Sequence, residues 1–386
     1  MKYLVFVVSL IFSVQAFSLE GIADFGLNQP FVGARALGMG NAYTAAVNDH
    51  NAIFYNPAAL ARNEEWRVKL FVSPTLDFDI LDFVDDANIA LDAPETDRLA
   101  TVTNLLDKYA GEFYHARLIG PSAIWTSKNW GLAFIPFNFQ ANTQINAVAG
   151  FELKLDAHLD STLALSYAND LDWFGAGHWL SYGATLKAVN RASIVQVVNS
   201  TELEQRSDFF DLGDDSYEGL TFDVDLGVLW TPNISKDSFF RNFQPTFAVS
   251  VKNALDYGFP IKLGLVSSNK GDDPVKLGRR VDFGSSWQLP TFGVFSPRFA
   301  LDIRDIGHTN WTFNKSHHAG LEFDWEMYKW WRGHWSIGVN QGYLTAGFGG
   351  KIGWFQLDLA TWAEEVGTKD SRREDRRYIA EFSIDF

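Results

Sequence analysis

Apolar side chains recur at every second position over most of this chain. Between Thr221 and Trp230 the even positions are Phe222, Val224, Leu226, Val228 and Trp230, whereas the odd ones include Asp223, Asp225 and Gly227. Ala319, Leu321, Phe323 and Trp325 oppose His318, Gly320, Glu322 and Asp324, and Phe299, Leu301 and Ile303 oppose Ala300, Asp302 and Arg304. Phe355, Leu357 and Leu359 alternate with Gln356, Asp358 and Ala360, and Tyr378, Ala380, Phe382, Ile384 and Phe386 make the last such run. Successive side chains of a strand point to opposite faces, so each run is a strand with one apolar and one polar face. A soluble sandwich turns the apolar face inward and a membrane barrel turns it to lipid, and alternation alone does not choose between them.

Loop lengths and tryptophan positions do choose. The pattern predicts fourteen strands: 65–73, 113–127, 130–142, 149–169, 178–190, 220–231, 245–254, 278–289, 297–304, 316–325, 332–340, 342–350, 353–363 and 377–386. Odd-numbered strands end in long segments such as 74–112, 191–219 and 255–277, and even-numbered strands end in short ones such as 128–129 and 351–352. Residues 341 and 232–244 depart from that rule. An even strand count with long loops on one rim and short turns on the other is the arrangement of bacterial outer-membrane barrels. Twelve of the 14 tryptophans fall near the short-turn ends, and Trp311 and Trp362 lie toward the other rim. Indole favours the headgroup boundary, where its ring is in apolar surroundings while its N–H stays wet. The expected fold is therefore all-β: a transmembrane antiparallel up-and-down barrel of about 14 strands, with its short-turn rim in the periplasm of a diderm bacterium.

The N-terminus reads differently. Lys2, the apolar run Leu4 to Phe12 and the small-residue site around Ala16 form a secretory signal peptide, residues 1–16. Residues 17–62 do not alternate. The run Phe31-Val32-Gly33-Ala34-Arg35-Ala36-Leu37-Gly38-Met39-Gly40-Asn41-Ala42 is crowded with small residues that permit close backbone approach. Asn56 before Pro57 and Ala58 is an N-cap signal for a short helix. Such a block ahead of the first strand suits either an insert in the barrel lumen or a periplasmic tail, with residues 63–386 as the barrel.

The double motif Gly33-Ala34-Arg35-Ala36-Leu37-Gly38-Met39-Gly40-Asn41-Ala42 and Ala52-Ile53-Phe54-Tyr55-Asn56-Pro57-Ala58-Ala59-Leu60 resembles the N-terminal signature of the long-chain fatty-acid transporter superfamily. It is most similar to the branch containing the PorV-type shuttle protein of type IX secretion. Leu163-Ala164-Leu165-Ser166-Tyr167-Ala168 and Val249-Ser250-Val251-Lys252-Asn253-Ala254 also fit that branch, though such phrases are generic. The resemblance implies a fourteen-stranded barrel with an N-terminal hatch. Asn41 departs from it, standing where a third glycine is expected, and so does the insertion 74–112.

That insertion carries helical rather than alternating periodicity across 83–110, divided by Pro94. Its helices either cap the barrel mouth or offer a landing site for amphipathic substrates. Segment 191–219 gathers Glu202, Glu204, Asp208, Asp211, Asp214, Asp215 and Glu218, which reads as a solvated loop or as carboxylates for divalent cations that bridge lipopolysaccharide. A net charge of -15 excludes nucleic acid as a partner, and the lack of cysteine excludes disulfides, thiolate metal sites and cysteine nucleophiles. No His-Glu-x-x-His, Gly-x-Ser-x-Gly or phosphate-binding glycine loop occurs, so no catalytic residue, cofactor or metal site is expected. The leading expectation is an outer-membrane barrel that transports or captures hydrophobic molecules. The rival is a docking barrel for exported proteins. Expected partners are outer-membrane lipid, the barrel assembly machinery, and either a hydrophobic small molecule or an exported protein. Arg35 is expected to anchor the hatch to a lumen carboxylate among Asp223, Asp225, Asp302 and Asp358, because a guanidinium in a low-dielectric lumen needs such a partner.

Overall fold

In the computed structural model, fourteen antiparallel strands close into one barrel in which each strand pairs with its sequence neighbours and β1 pairs with β14. The structure describes residues 26–386 apart from residues 28, 78, 147–151, 172–177, 200–215, 235–237, 268–270 and 368–371. The signal-peptide reading, residues 17–25, Trp173 and six of the seven carboxylates singled out in 191–219 lie outside the described residues. The strands are β1 Arg67–Leu76, β2 Phe113–Thr126, β3 Trp130–Asn146, β4 Glu152–Leu171, β5 Trp179–Asn199, β6 Tyr217–Thr231 and β7 Thr246–Lys252. They continue as β8 Arg280–Gln288, β9 Phe295–Ile306, β10 His317–Tyr328, β11 Trp331–Asn340, β12 Tyr343–Ile352, β13 Phe355–Glu365 and β14 Glu374–Asp385. All fourteen expected strands are present. The first runs three residues past its expected end, with Pro74 paired to Leu118 and Leu76 to Ala116, so the insertion starts after Leu76 rather than at residue 74.

The apolar face looks outward. Leu70 and Val72 on β1, Leu163 and Leu165 on β4, Phe222 and Leu226 on β6, and Phe382 on β14 are exposed, whereas Asp160, Asp223, Asp302, Glu322 and Glu381 are buried. A barrel that exposes its greasy register and buries its charged one is built to sit in lipid. No helix among the described residues is long and apolar enough to cross a membrane. Trp66, Trp330 and Trp354 stand exposed at the short-turn rim, where indoles at a headgroup boundary are expected. Trp362 is instead fully buried inside the barrel, against Val32 and Leu37.

Helices α3 Asp79–Leu91 and α4 Glu95–Lys108 form the insertion, with Pro94 between them. They bury Phe83, Ala87, Val102 and Leu106 on Tyr114 and Ile145 at the tops of β2 and β3. That packing seats the insertion on the long-loop rim. Leu81, Val84, Ile89 and Leu99 remain exposed on its outer surface.

Candidate functional site

The small-residue block lies inside the barrel. It comprises α1 Ala34–Gly38, α2 Ala52–Tyr55 and a 3-10 turn Pro57–Arg62. The segment runs the length of the lumen. At the long-loop rim, Asn310 donates to Gly26 O, Arg280 to Leu27 O, and Arg117 to the carbonyls of Gln29 and Pro30. At the short-turn rim, Arg62 donates to Ser181 Oγ and Thr231 Oγ1.

The wall meets this segment with glycines. A Cβ added at Gly183 would stand 2.6 Å from Ala58 N, at Gly227 2.9 Å from Pro57 Cδ, and at Gly284 3.0 Å from Ala45 N. At Gly338 it would stand 2.6 Å from Gly40 N, and at Gly347 2.8 Å from Gly38 Cα. Every one of these glycines belongs to the inward register of a different strand. Together they form a belt that lets the backbone of the segment lie directly on the sheet.

The motif residues make their own half of this fit. Gly33 caps α1, and a Cβ there would press on the Asn51 side chain at 2.6 Å. Ala34 and Met39 are fully buried, and Gly40 takes φ +64 while donating to Thr345 Oγ1. Asn41 takes φ +60, the left-handed conformation that explains why glycine is expected there and why asparagine serves. Asn56 Oδ1 accepts from Ala58 N as an N-cap with Pro57 following, as its sequence signalled. The Asn56 amide also donates to Thr44 O and Val228 O, which ties segment to wall.

Arg35 is paired, but not with the carboxylates expected of it. Its Nε and Nη2 donate to the two oxygens of Glu322 at 2.8 Å each, and Nη2 also reaches Asp324 Oδ1 at 2.8 Å. Asp49 on the segment stands 3.7 Å from Nη1. Arg298 donates to the same Glu322 and to Ala46 O. The forked geometry satisfies a buried carboxylate with two guanidinium groups. The four expected partners have other work. Asp225 pairs with Lys187, Asp223 accepts from Leu255 N, and Asp358 lies 3.6 Å from His334 Nε2. Asp302 holds the segment through Thr44 N at 2.8 Å rather than through Arg35. Glu322 and Asp324 were visible as inward-register residues, but alternation does not say which strand faces α1. Glu322, Asp324 and His334 bring potential ligand atoms within 4.8 Å of one another, a grouping that sequence spacing hid because it is assembled across β10 and β11.

On the opposite wall the lumen carries an apolar patch. Phe71, Ile119, Ile124 and Ile135 turn inward against a cluster that includes Phe31 and Ile53, with Phe54 stacked on Phe31 at 4.1 Å. This patch backs an interruption in the sheet. β2 and β3 pair as far as Ile119 with Asn138 and resume at Ala123 with Phe134. The register on both sides sets Pro121 opposite Pro136. Neither proline has an N–H to donate, so the ladder cannot close there. The neighbouring ladders shift register at Phe71/Ser73 and at Ile135/Asn138. Leu118, Phe134 and Phe137 are exposed on the lipid side of the same place.

Comparison with solved structures finds a similar fold. The TodX deltaS2S3 mutant monoaromatic hydrocarbon channel matches with 10% identity over 92% of this chain and 98% of that one, at a TM-score of 0.51. The Ralstonia pickettii toluene transporter TbuX matches with 11% identity over 96% and 100%, at 0.42. The likeness is one of fold. No protein-family model and no curated protein matches the chain.

Proposed function

We propose that this chain is an outer-membrane channel for hydrophobic molecules, with residues 26–62 as its hatch. The observation that carries this reading is the apolar inner patch of Phe71, Ile119, Ile124 and Ile135 directly behind the break at Pro121 and Pro136. An aqueous pore gains nothing from such a patch. A hydrophobic solute gains an apolar surface next to a gap in the sheet that faces the bilayer. The fold shared with a monoaromatic hydrocarbon channel supports the same reading. Arg35 is the hatch's electrostatic anchor, through Glu322 and Asp324. If Arg35→Ala changed neither hatch protection nor solute uptake, that role would be wrong.

The test uses the absence of native cysteine. In a Pro121→Cys/Pro136→Cys variant, bridging the two thiols with a short bis-maleimide should lower uptake of the fluorescent hydrophobic arylamine N-phenylnaphthylamine at least tenfold. The single-cysteine variants treated alike should be unaffected. Undiminished uptake through a bridged barrel would remove the proposed route.

The exposed Leu81, Val84, Ile89 and Leu99 of the insertion favour a second reading, docking of an exported protein at the long-loop rim. A stoichiometric protein partner lost on deleting residues 77–112, with uptake intact, would select it.

A further inference from the structure

The side chains that hold Arg35 form a cation site, and the guanidinium is its present occupant. Asp324 on β10 is register-paired with His334 on β11, which pairs with Gly349 on β12, which pairs with Asp358 on β13. Gly349 makes the row compact. A Cβ there would collide with both the His334 ring and the Asp358 carboxylate, so the glycine lets imidazole and carboxylate meet above it. Asp358 Oδ1 is buried without a hydrogen-bond donor and faces His334 Nε2 at 3.6 Å. A carboxylate behind a histidine whose ring abuts two further carboxylates is the outer support found at metal-binding histidines.

Charge points the same way. Lys69 pairs with Glu381 and Lys351 with Asp385, which removes those four from the balance. With Arg35 replaced, Glu322, Asp324, Asp358 and the segment's own Asp49 would face Arg298 alone. Three negative charges would stand uncompensated at the wall, an arrangement that favours a counter-ion.

We propose that Glu322, Asp324 and His334 constitute a divalent-cation site, with Asp358 supporting the imidazole, and that Arg35 and the metal compete for it. Two carboxylates and one imidazole suit a borderline or hard ion such as Mn2+ or Zn2+. In the closed barrel the guanidinium fills the site. When the segment withdraws, a divalent ion takes its place and holds the wall in its open form. This last step rests on the hatch reading, whereas the site itself does not.

The experiment is Mn2+ binding to purified barrels in detergent, read as loss of the free-ion electron paramagnetic resonance signal. Folding is checked by heat-modifiable mobility on gels. Arg35→Gln and Arg35→Ala should each bind one Mn2+ per barrel at least tenfold more tightly than the parent chain, and Arg35→Lys should stay close to the parent. Adding Asp324→Asn and His334→Ala to Arg35→Gln should abolish the gain. Folded Arg35→Gln binding no more tightly than the parent would overturn the proposal, as would binding that survives loss of Asp324 and His334. Because the readout is metal occupancy rather than solute uptake, it stands or falls apart from the channel reading.

Discussion

Replacing Gly183 with alanine places one methyl group where the backbone of the inner segment already lies. The three atoms nearest the new Cβ are Ala58 N and Pro57 C at 2.6 Å and Pro57 O at 2.7 Å, all backbone of the hatch, whereas ordinary contact begins at 3.4 Å. Segment and strand must therefore part by roughly 0.8 Å, and neither side can yield by rotating a flexible side chain. Overpacking of this kind costs about 1–3 kcal/mol. Strand β5 is folded whether the segment is seated or withdrawn, so no unfolded-chain entropy offsets this cost, which should raise the open population roughly 5- to 150-fold for about 1–3 kcal/mol. The assay is the labelling rate of Ala45→Cys, a buried hatch position, by a membrane-impermeant maleimide in a chain with no other thiol. Gly350→Ala is the matched control, because its Cβ would meet only Phe348 at 4.0 Å and should leave labelling unchanged. If Gly183→Ala and Gly350→Ala label alike, the glycine belt does not govern the fit of the hatch.

Two further outcomes follow from the same contacts. Glu322→Gln removes the carboxylate that both Arg35 and Arg298 depend on, a buried loss of about 3–5 kcal/mol, whereas the more exposed Asp324→Asn should cost no more than about 1 kcal/mol. Cysteine labelling should rank the two variants in that order, and a reversed order would show that Asp324 is the real anchor. At the long-loop rim, burial pushes the Asp77 carboxyl up to about 6 from an ordinary value near 4, and the carboxylates of Asp375 and Asp79 push the same way. Since the raised pKa means that ionised Asp77 is disfavoured in the folded rim, α3 should gain hydrogen-exchange protection as pH falls from about 6 toward 4. Asp77→Asn should flatten that dependence, and an unchanged profile would assign it to another group.

The barrel was legible in the sequence because one physical rule, alternation between lipid and lumen, acts on every strand independently. A register read from Phe299 or Leu321 alone already places Asp302 and Glu322 inside. The site was less legible because it depends on angular position around the barrel. Alternation put Glu322, Asp302 and Asp358 in the same lumen, but only the path of the inner segment decides that Arg35 meets Glu322 while Thr44 N meets Asp302. The break at Pro121 and Pro136 was hidden for a related reason. Each proline is tolerable in its own strand, and only the register of β2 on β3 sets the two face to face. Gly183, Gly227, Gly284, Gly338 and Gly347 were visible as inward positions, yet an inward glycine has no meaning until a backbone is laid against it. The segment's backbone at Gly38, Gly40, Ala45 and Ala58 and the glycines of the wall are two halves of one surface, since side chains added to the wall would keep the segment out of the lumen. The seating of this inner segment is therefore encoded twice, once in a contiguous motif that a reader can find and once as single residues dispersed over the strands. A sequence that kept the motif but lost the dispersed half should still close a barrel, with its N-terminal segment excluded from it.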